Sequence, residues 1–241
     1  FLGSGGSVGL GSSLQMGTPH GISLRHQTAY GTTLTTQNIT LSGFQLSSTG
    51  NSVWMGGGFP PTAWENSDNW LGEEVPGDRD NAIIPGNLTH YPILTTSTSC
   101  EDLQIELGAS LFLEPASSMT VHGQLANNGT LEVHSDGTGS GSLIVGGQAS
   151  GLVSYQSYLT ADQWHIFSPP LSGHSINSFL SSPLHPISYH ASLGVYGFTD
   201  YNELSNSWNG FFSNSTGGDL ISGKAYLMRR DDPDGPVTST G

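Results

Sequence analysis

Two tryptophans, Trp64 and Trp70, lie six residues apart and enclose a polar segment that contains Asn69. Indole rings stack on sugar rings and side-chain amides bond to hydroxyl groups, so these residues, together with Trp208, form a candidate carbohydrate-binding set. The alternative is structural, with both indoles buried as a cap over the core and their N–H groups donating to backbone carbonyls. Indoles are largely buried on average, so the exposure of Trp64 and Trp208 decides between the two interpretations.

Carboxylates are concentrated in two segments, residues 73–80 and the turn that holds Asp231, Asp232 and Asp234. Ca²⁺ prefers oxygen ligands, and weak calcium sites are useful outside the cell. Neither segment has the spacing of an EF-hand calcium loop, and Pro233 equally marks an ordinary turn. We therefore predict no cofactor, with calcium at the three aspartates as a weak alternative.

The sequence shows no arrangement of residues with the spacing of an active site. The nine histidines are scattered without a zinc-binding pattern. The match of residues 5–9 to a serine-nucleophile motif lacks the strand and helix that strain such a turn. Polysaccharide hydrolysis needs paired carboxylates, and cleavage of an anionic polymer needs cations to hold it. Because Lys and Arg are absent between Arg79 and Lys224, a polysaccharide-degrading enzyme ranks third, and we predict a non-enzyme.

The charge balance restricts the partners. Five basic residues stand against 19 acidic ones, which gives a formal net charge of −14. Nucleic-acid binding requires several Lys or Arg residues that neutralise phosphates, so we predict no nucleic-acid partner. We also predict no membrane span, since no apolar run is long enough to cross a bilayer. Cys100 is the only cysteine; it cannot form an intrachain disulfide and is expected to fill a small buried corner of the core.

Short apolar pairs recur in the middle third of the chain and predict how its strands stack. One series contains Ile83-Ile84, Leu103/Ile105 and Leu143/Val145. Its last step is twice as long as its first, and Leu125 lies near the position where a member of the series is missing. The second series contains Ile93-Leu94, Leu111/Leu113, Leu131/Val133 and Leu152-Val153. Two interleaved series with a common period are typical of a chain that coils, each coil pairing with the one before. The sequence thus predicts an all-β fold built on a short right-handed β-solenoid with coils of about 20 residues.

The composition divides the chain into three segments. Residues 1–50 are rich in Gly, Ser and Thr and predict a β segment with modest apolar content, whereas residues 51–153 contain the coils. Residues 154–241 lose the period and gain aromatic residues. They predict a β-rich, sandwich-like module that covers the open end of the solenoid. Corners between strands are expected at Gly and Asn, most clearly at residues 127–129.

Several short motifs follow one another between residues 64 and 228. They include WENSDNW at 64–70, NAIIP at 81–85, NNGTL at 127–131 and WHIFSP at 164–169. In this order and spacing they resemble a module of large secreted surface proteins of Bacteroidetes, of the kind exported by the type IX secretion system. The resemblance implies an extracellular, mostly non-catalytic β-rich segment that serves adhesion or fibre building.

We therefore predict a secreted, non-enzymatic structural protein that is extracellular or attached to the cell surface. It would act as a segment of a cell-surface adhesin or as a subunit of an extracellular fibre, and a carbohydrate-binding module is the alternative. The predicted partners are other copies of the chain, arranged head to tail, or neighbouring domains of a longer chain. Glycans are a further candidate.

The first residues predict where such copies meet. Residues 1–16 are rich in Gly and Ser and carry too few apolar residues for a core of their own. The isolated apolar residues are Phe1, Leu2, Val8, Leu10 and Leu14. The even spacing of the last four suits one face of an extended segment laid along a foreign sheet edge, which would build an open head-to-tail chain. A linker without fixed structure is the equal alternative.

Overall fold

The computed structural model describes residues 50–241. Almost all regular structure in this range is β, and it includes a solenoid of about three turns whose coils lie about 22 residues apart. The predicted all-β fold with a β-solenoid is therefore confirmed. The predicted assembly residues Phe1, Leu2, Val8, Leu10 and Leu14 lie outside the described residues.

Three sheets form the faces of the solenoid, and successive strands along the chain pass from the first face to the second and then to the third. The first sheet contains, in spatial order, β1 (Asn51–Val53), β2 (Asn81–Ile84), β5 (Leu103–Ile105), β8 (Leu125–Asn127) and β13 (Ala149–Ser150). The second contains β3 (Ile93–Leu94), β6 (Ser110–Leu113), β9 (Thr130–Val133), β14 (Ser154–Leu159) and β21 (Gly235–Thr240). The third contains β4 (Ser97–Cys100), β7 (Ser118–Val121) and β12 (Ser142–Val145).

Alternate residues of each strand fill the interior, because successive side chains of a strand point to opposite faces of the sheet. On the first face, Ala82, Leu103 and Leu125 pair in register. On the second, Leu111 pairs with Leu131. All five side chains are buried. Stacking the coils therefore builds a continuous core that no coil could form alone.

The third face corrects the prediction of only two strand series. The sequence assigns Leu143 and Val145 to the first series, but they lie on β12 and pair with Met119 and Val121 of β7. Cys100 of β4 continues the same row and is fully buried, as expected for this thiol. The face is inconspicuous in the sequence because β4 carries only Ser, Thr and Cys, so its first rung has no strongly apolar residue.

The coils exceed the predicted length where extra structure is inserted. Ser97, Ser118 and Ser142 are consecutive rungs of the third face, which makes the two steps 21 and 24 residues long. The longer step contains a hairpin of β10 (Ser135–Asp136) and β11 (Gly139–Ser140).

The predicted corner at residues 127–129 joins β8 to β9. Asn127 is buried, and its Oδ1 accepts the Gly129 N–H at 3.0 Å while its Nδ2 donates to the Leu152 carbonyl at 2.5 Å. A Cβ at Gly129 would lie only 2.4 Å from the Ala109 carbonyl oxygen. Glycine is needed here because the preceding coil approaches so closely.

The C-terminal module is built on a four-stranded antiparallel sheet. Its strands, in spatial order, are β15 (Trp164–Phe167), β20 (Tyr226–Arg229), β18 (Phe198–Asn202) and β19 (Ser207–Trp208). A hairpin of β16 (Tyr189–His190) and β17 (Val195–Tyr196) and one short helix, α1 (Ile176–Ser181), complete it. Among residues 50–241, no helix has the length and apolar character required to cross a membrane.

A second hydrophobic core lies between this sheet and α1. Phe179 of α1 is fully buried and contacts Phe167 and Phe198, with ring centroids 5.8 and 5.7 Å apart. Leu159 of β14 and Val237 of β21 belong to the same core. The module therefore packs against strands that extend the second face of the solenoid.

Candidate functional site

The carbohydrate platform predicted at Trp64, Trp70 and Asn69 is corrected by the structure, because none of these side chains is more than 2 % exposed. They belong to the N-terminal end of the solenoid core. Together with Trp54, the indoles form an edge-to-face cluster with ring centroids 5.1 and 4.6 Å apart. A sugar cannot reach rings buried in this way, so the segment is a structural cap.

Two of the three indole N–H groups donate to backbone carbonyls, as the structural-cap interpretation requires. Trp54 Nε1 donates to the His90 carbonyl at 2.9 Å, and Trp70 Nε1 donates to the Trp64 carbonyl at 2.8 Å. The Nε1 of Trp64 is buried and has no acceptor among the described residues, contrary to the expected carbonyl partner.

Trp208, the fourth residue of the predicted set, lies on β19 of the C-terminal module. It is 39 % exposed and meets Tyr201 edge to face, with ring centroids 5.1 Å apart. Since Trp64 is buried, the two cannot line one groove. Trp208 remains available to a ligand, without its predicted companions.

The three aspartates predicted as weak calcium ligands have different surroundings. Asp231 accepts a hydrogen bond from the Ser188 hydroxyl, whereas Asp234 accepts the Ala161 N–H at 2.6 Å. Asp232 is exposed. Within residues 50–241, no group of three or more His, Cys, Asp or Glu side chains is arranged to hold a metal ion. Calcium binding at this turn stays a prediction.

Cys100 is unsuited to nucleophilic chemistry. Its side chain is fully buried on the third face. Burial raises the pKa of the Cys100 thiol to about 12, and the nearby carboxylates of Asp102 and Glu101 act in the same direction. Because the thiolate is the reactive form, the side chain serves as a small packing residue.

Acidic side chains of the solenoid make structural hydrogen bonds. Asp102 Oδ1 accepts the Gln124 N–H of the next coil at 2.6 Å. His134 lies between two carboxylates, with its ring nitrogens 3.2 Å from Glu114 and 3.0 Å from Glu132. The contact between His134 and Glu114 joins the end of β9 to the end of β6 in the preceding coil, whereas Glu132 is in the same coil as His134. Asp102 and Glu114 therefore join coils.

Exposed aromatic side chains line a cleft of about 310 Å³ on the C-terminal module. Trp164 of β15 and Phe211 stack with their centroids 5.8 Å apart and their planes at 23°. Both rings are about half exposed, at 46 % and 50 %. Tyr189 and Tyr196, which pair across the β16–β17 hairpin with centroids 4.9 Å apart, line the cleft as well. We name this set of four rings the aromatic cleft.

The position of the aromatic cleft follows from the pattern of β15. Phe167 points into the second core, so Trp164 and Ile166 point away from it at alternate positions. Ile166 is 74 % exposed. The partner of Trp164 on β20 is Arg229, which belongs to the same outer surface. A strand with large apolar residues on both faces leaves one apolar face available to a ligand.

Polar groups surround the aromatic rings. Arg229 donates to Asp162 at 2.8 Å, and its side chain remains 38 % exposed. His190 Nδ1 lies 3.2 Å from the Ser192 hydroxyl. The guanidinium has five donors, so Arg229 can serve a ligand without losing its ion pair. Flat rings flanked by hydrogen-bonding groups suit a ligand that has an apolar face and hydroxyl edges.

A second recess, on the polar side of the β18–β19 hairpin, is less suited to a ligand. Its cation, Lys224, forms an ion pair with Asp200. The hydrogen bond to Asp200 raises the Lys224 pKa. Burial alone would raise the Asp200 pKa, but hydrogen bonds from Lys224 and Asn209 outweigh burial and lower it. The pair fixes the base of the hairpin.

The sequence predicted aromatic residues in this module but not that four of them form a cleft. Trp164 and Ile166 alternate with His165 and Phe167, so this strand carries apolar residues on both faces. That pattern is a sequence signal for an exposed apolar surface on the module. The pairing of Tyr189 with Tyr196 and the approach of Phe211 depend on long-range contacts, which no local pattern specifies.

Comparison with known proteins gives one result. A family model described as a domain of unknown function, DUF8693, matches residues 53–240 and so covers most of the chain. The match begins in β1 and ends in β21, and therefore includes both the solenoid and the C-terminal module. No curated protein and no solved structure matches the sequence.

Proposed function

The chain belongs to the DUF8693 family, and we propose that it is a non-enzymatic structural segment of a secreted, cell-surface adhesin. In this proposal the solenoid is a rigid stem, and the C-terminal module carries the contact surface. The observation on which the proposal depends is the aromatic cleft, where the exposed rings of Trp164, Tyr189 and Phe211 lie together with the half-buried ring of Tyr196.

The solenoid supports the role of a stem. Its interior is filled by paired residues of successive coils, and side chains such as Asp102 and His134 bond one coil to the next. Side chains fixed in this way are poorly placed to transfer protons to a substrate, since a general acid or base needs a hydrogen bond to the substrate. A stem without catalytic groups fits this arrangement.

The aromatic cleft also favours a second candidate, a carbohydrate-binding module, at a site different from the predicted one. Trp164 and Phe211 present ring faces, while Arg229 and His190 offer polar groups beside them. Arg229 is already neutralised by Asp162, and the chain carries a net charge of −14. A neutral glycan is therefore the preferred ligand class, because an anionic one would be repelled. The fibre-subunit alternative depends on residues outside the described range and stays a prediction.

Retention on immobilised glycans tests this role. Beads carrying the 241-residue chain would be passed over surfaces of neutral polysaccharide, namely β-glucan, galactomannan and xylan, with reducing ends measured in the eluate. We expect retention on at least one surface without release of reducing sugar. Trp164→Ala should weaken retention at least about tenfold, the loss expected for a central aromatic residue of an interface.

Trp208→Ala is the matched control, since it removes an indole of similar exposure from the same module. The control should bind like the parent chain, and both variants should keep the parent melting temperature. Loss of retention only in Trp208→Ala would move the site to the β18–β19 hairpin. Release of reducing sugar would contradict the non-enzymatic role, and retention on none of the surfaces would remove the glycan candidate.

A further inference from the structure

The outer edge of β21 is closed by two imidazole rings. Val153 and Gly241 exchange backbone hydrogen bonds, and the alternation of antiparallel pairing then directs the N–H groups of Thr238 and Thr240 away from β14. Thr238 N–H donates to His185 Nε2 at 2.9 Å. Thr240 N–H donates to Nδ1 of the second ring, that of His174, at 3.1 Å.

These two histidines flank α1 on either side. His174 immediately precedes the N-cap residue of the helix, and His185 follows the helix and donates from Nδ1 to the Phe179 carbonyl at 3.0 Å. Both rings also contact the Phe179 ring, with centroids 5.7 and 4.8 Å apart. A ring that donates from one nitrogen and accepts at the other is the neutral form.

We infer that His174 and His185 form an acid-sensitive latch, which holds β21 against α1 only while both rings are neutral. On protonation, each nitrogen that now accepts a backbone N–H becomes a donor. Two donors cannot bond to each other, so Thr238 and Thr240 lose their partners. The edge of β21 then becomes available for pairing with another strand.

The surroundings do not compensate a positive charge on the rings. Arg230 and His174 both disfavour protonation of His185 by their charge. Asp219, whose backbone bridges to the residue after His174, is exposed to solvent. His134 on the solenoid differs, because two carboxylates face its ring. The latch histidines thus have no comparable ion pair within the described residues.

The direction of the pH effect follows from burial. Burial lowers the pKa of His174 below its ordinary value of 6.5. Burial is also the main cause that lowers the His185 pKa, although the Phe179 carbonyl opposes it. A folded-state pKa below the unfolded value means that the rings stabilise the fold fully above about pH 6.5. That stability is lost as the pH falls through the folded-state values.

Hydrogen exchange of the 241-residue chain tests the latch. Between pH 7.5 and a pH below the midpoints of both imidazoles, which NMR titration locates, we expect the protection factors of the Thr238 and Thr240 amides to fall about tenfold, the effect of losing one hydrogen bond each. His174→Asn with His185→Gln keeps an acceptor that does not titrate, so this double variant should lose little protection. His122→Gln, on the exposed surface of the solenoid, is the control and should behave like the parent chain.

Equal protection of both amides at the two pH values in the parent chain would overturn the latch. An equal acid loss in the double variant would do the same, because its side chains cannot titrate. Should the double variant fail to fold, titration of the two imidazoles by NMR in the parent chain decides. The Thr238 amide signal must then shift with the midpoint of His185, and independent midpoints would contradict the inference.

Discussion

The side chain of Asn69 is fully buried, and each of its polar atoms has a hydrogen-bond partner that offsets the cost of burial. Its Nδ2 donates to the carbonyls of Pro60 and Ala63 at 2.8 and 2.9 Å, and its Oδ1 accepts the Gly58 N–H at 2.7 Å. One amide therefore organises the loop that carries the tryptophan cluster. The neighbouring backbone reaches β1, where Leu71 N–H donates to the Val53 carbonyl at 2.8 Å.

Replacing Asn69 tests the structural role of this segment. Asn69→Ala removes three hydrogen bonds and leaves the half-buried Gly58 N–H without its acceptor, whereas the Pro60 and Ala63 carbonyls keep backbone N–H partners. We expect the free energy of unfolding to fall by about 1 to 3 kcal/mol. Asn51→Ala, which removes an amide from an exposed hydrogen bond, should change it by less than about 0.5 kcal/mol. Urea unfolding measures both. Equal stability of the two variants would show that the cap does not depend on this side chain.

At the scale of the strand, the position within the alternation decides what a residue contributes. Leu131 of β9 points inward and is 1 % exposed, whereas Ile144 of β12 points outward and is 58 % exposed. Both are branched aliphatic residues on a solenoid strand. Their different exposure makes them a matched pair for testing the ladder.

We expect Leu131→Asp to unfold the solenoid, because it places an unpaired carboxylate in an apolar stack. Ile144→Asp should leave the melting temperature within a few degrees of the parent value, since surface substitutions cost about 0.5 kcal/mol or less. Circular dichroism during heating measures both variants. A soluble Leu131→Asp protein with an unchanged melting temperature would contradict the coil arrangement.

The strand pattern also shows what the sequence could predict. The second face was predictable, because the pair Leu111/Leu113 recurs 20 residues later as Leu131/Val133. The third face was not, since Cys100 stands where later coils place Val121 and Val145. The burial of Trp64 and the assembly of the aromatic cleft depend on packing between distant segments, which composition alone does not determine.

At the scale of the whole described region, β14 joins the solenoid to the C-terminal module. Its first residues pair in parallel with β9, and the full strand pairs antiparallel with β21. The predicted boundary between residues 153 and 154 thus falls at the start of a strand shared by both parts. The aromatic cleft lies on other strands of the module, which connect to β14 and β21 through the second hydrophobic core, where Phe167 packs with Leu159 and Val237.

The location of the ligand contact tests the central claim, that the C-terminal module binds and the solenoid supports it. Hydrogen exchange of the 241-residue chain would be compared with and without the polysaccharide that retains it. We predict added protection in residues 188–197 and around Phe211, with the strands of the three solenoid faces unchanged. Protection confined to the solenoid faces, with none at the aromatic cleft, would contradict the account.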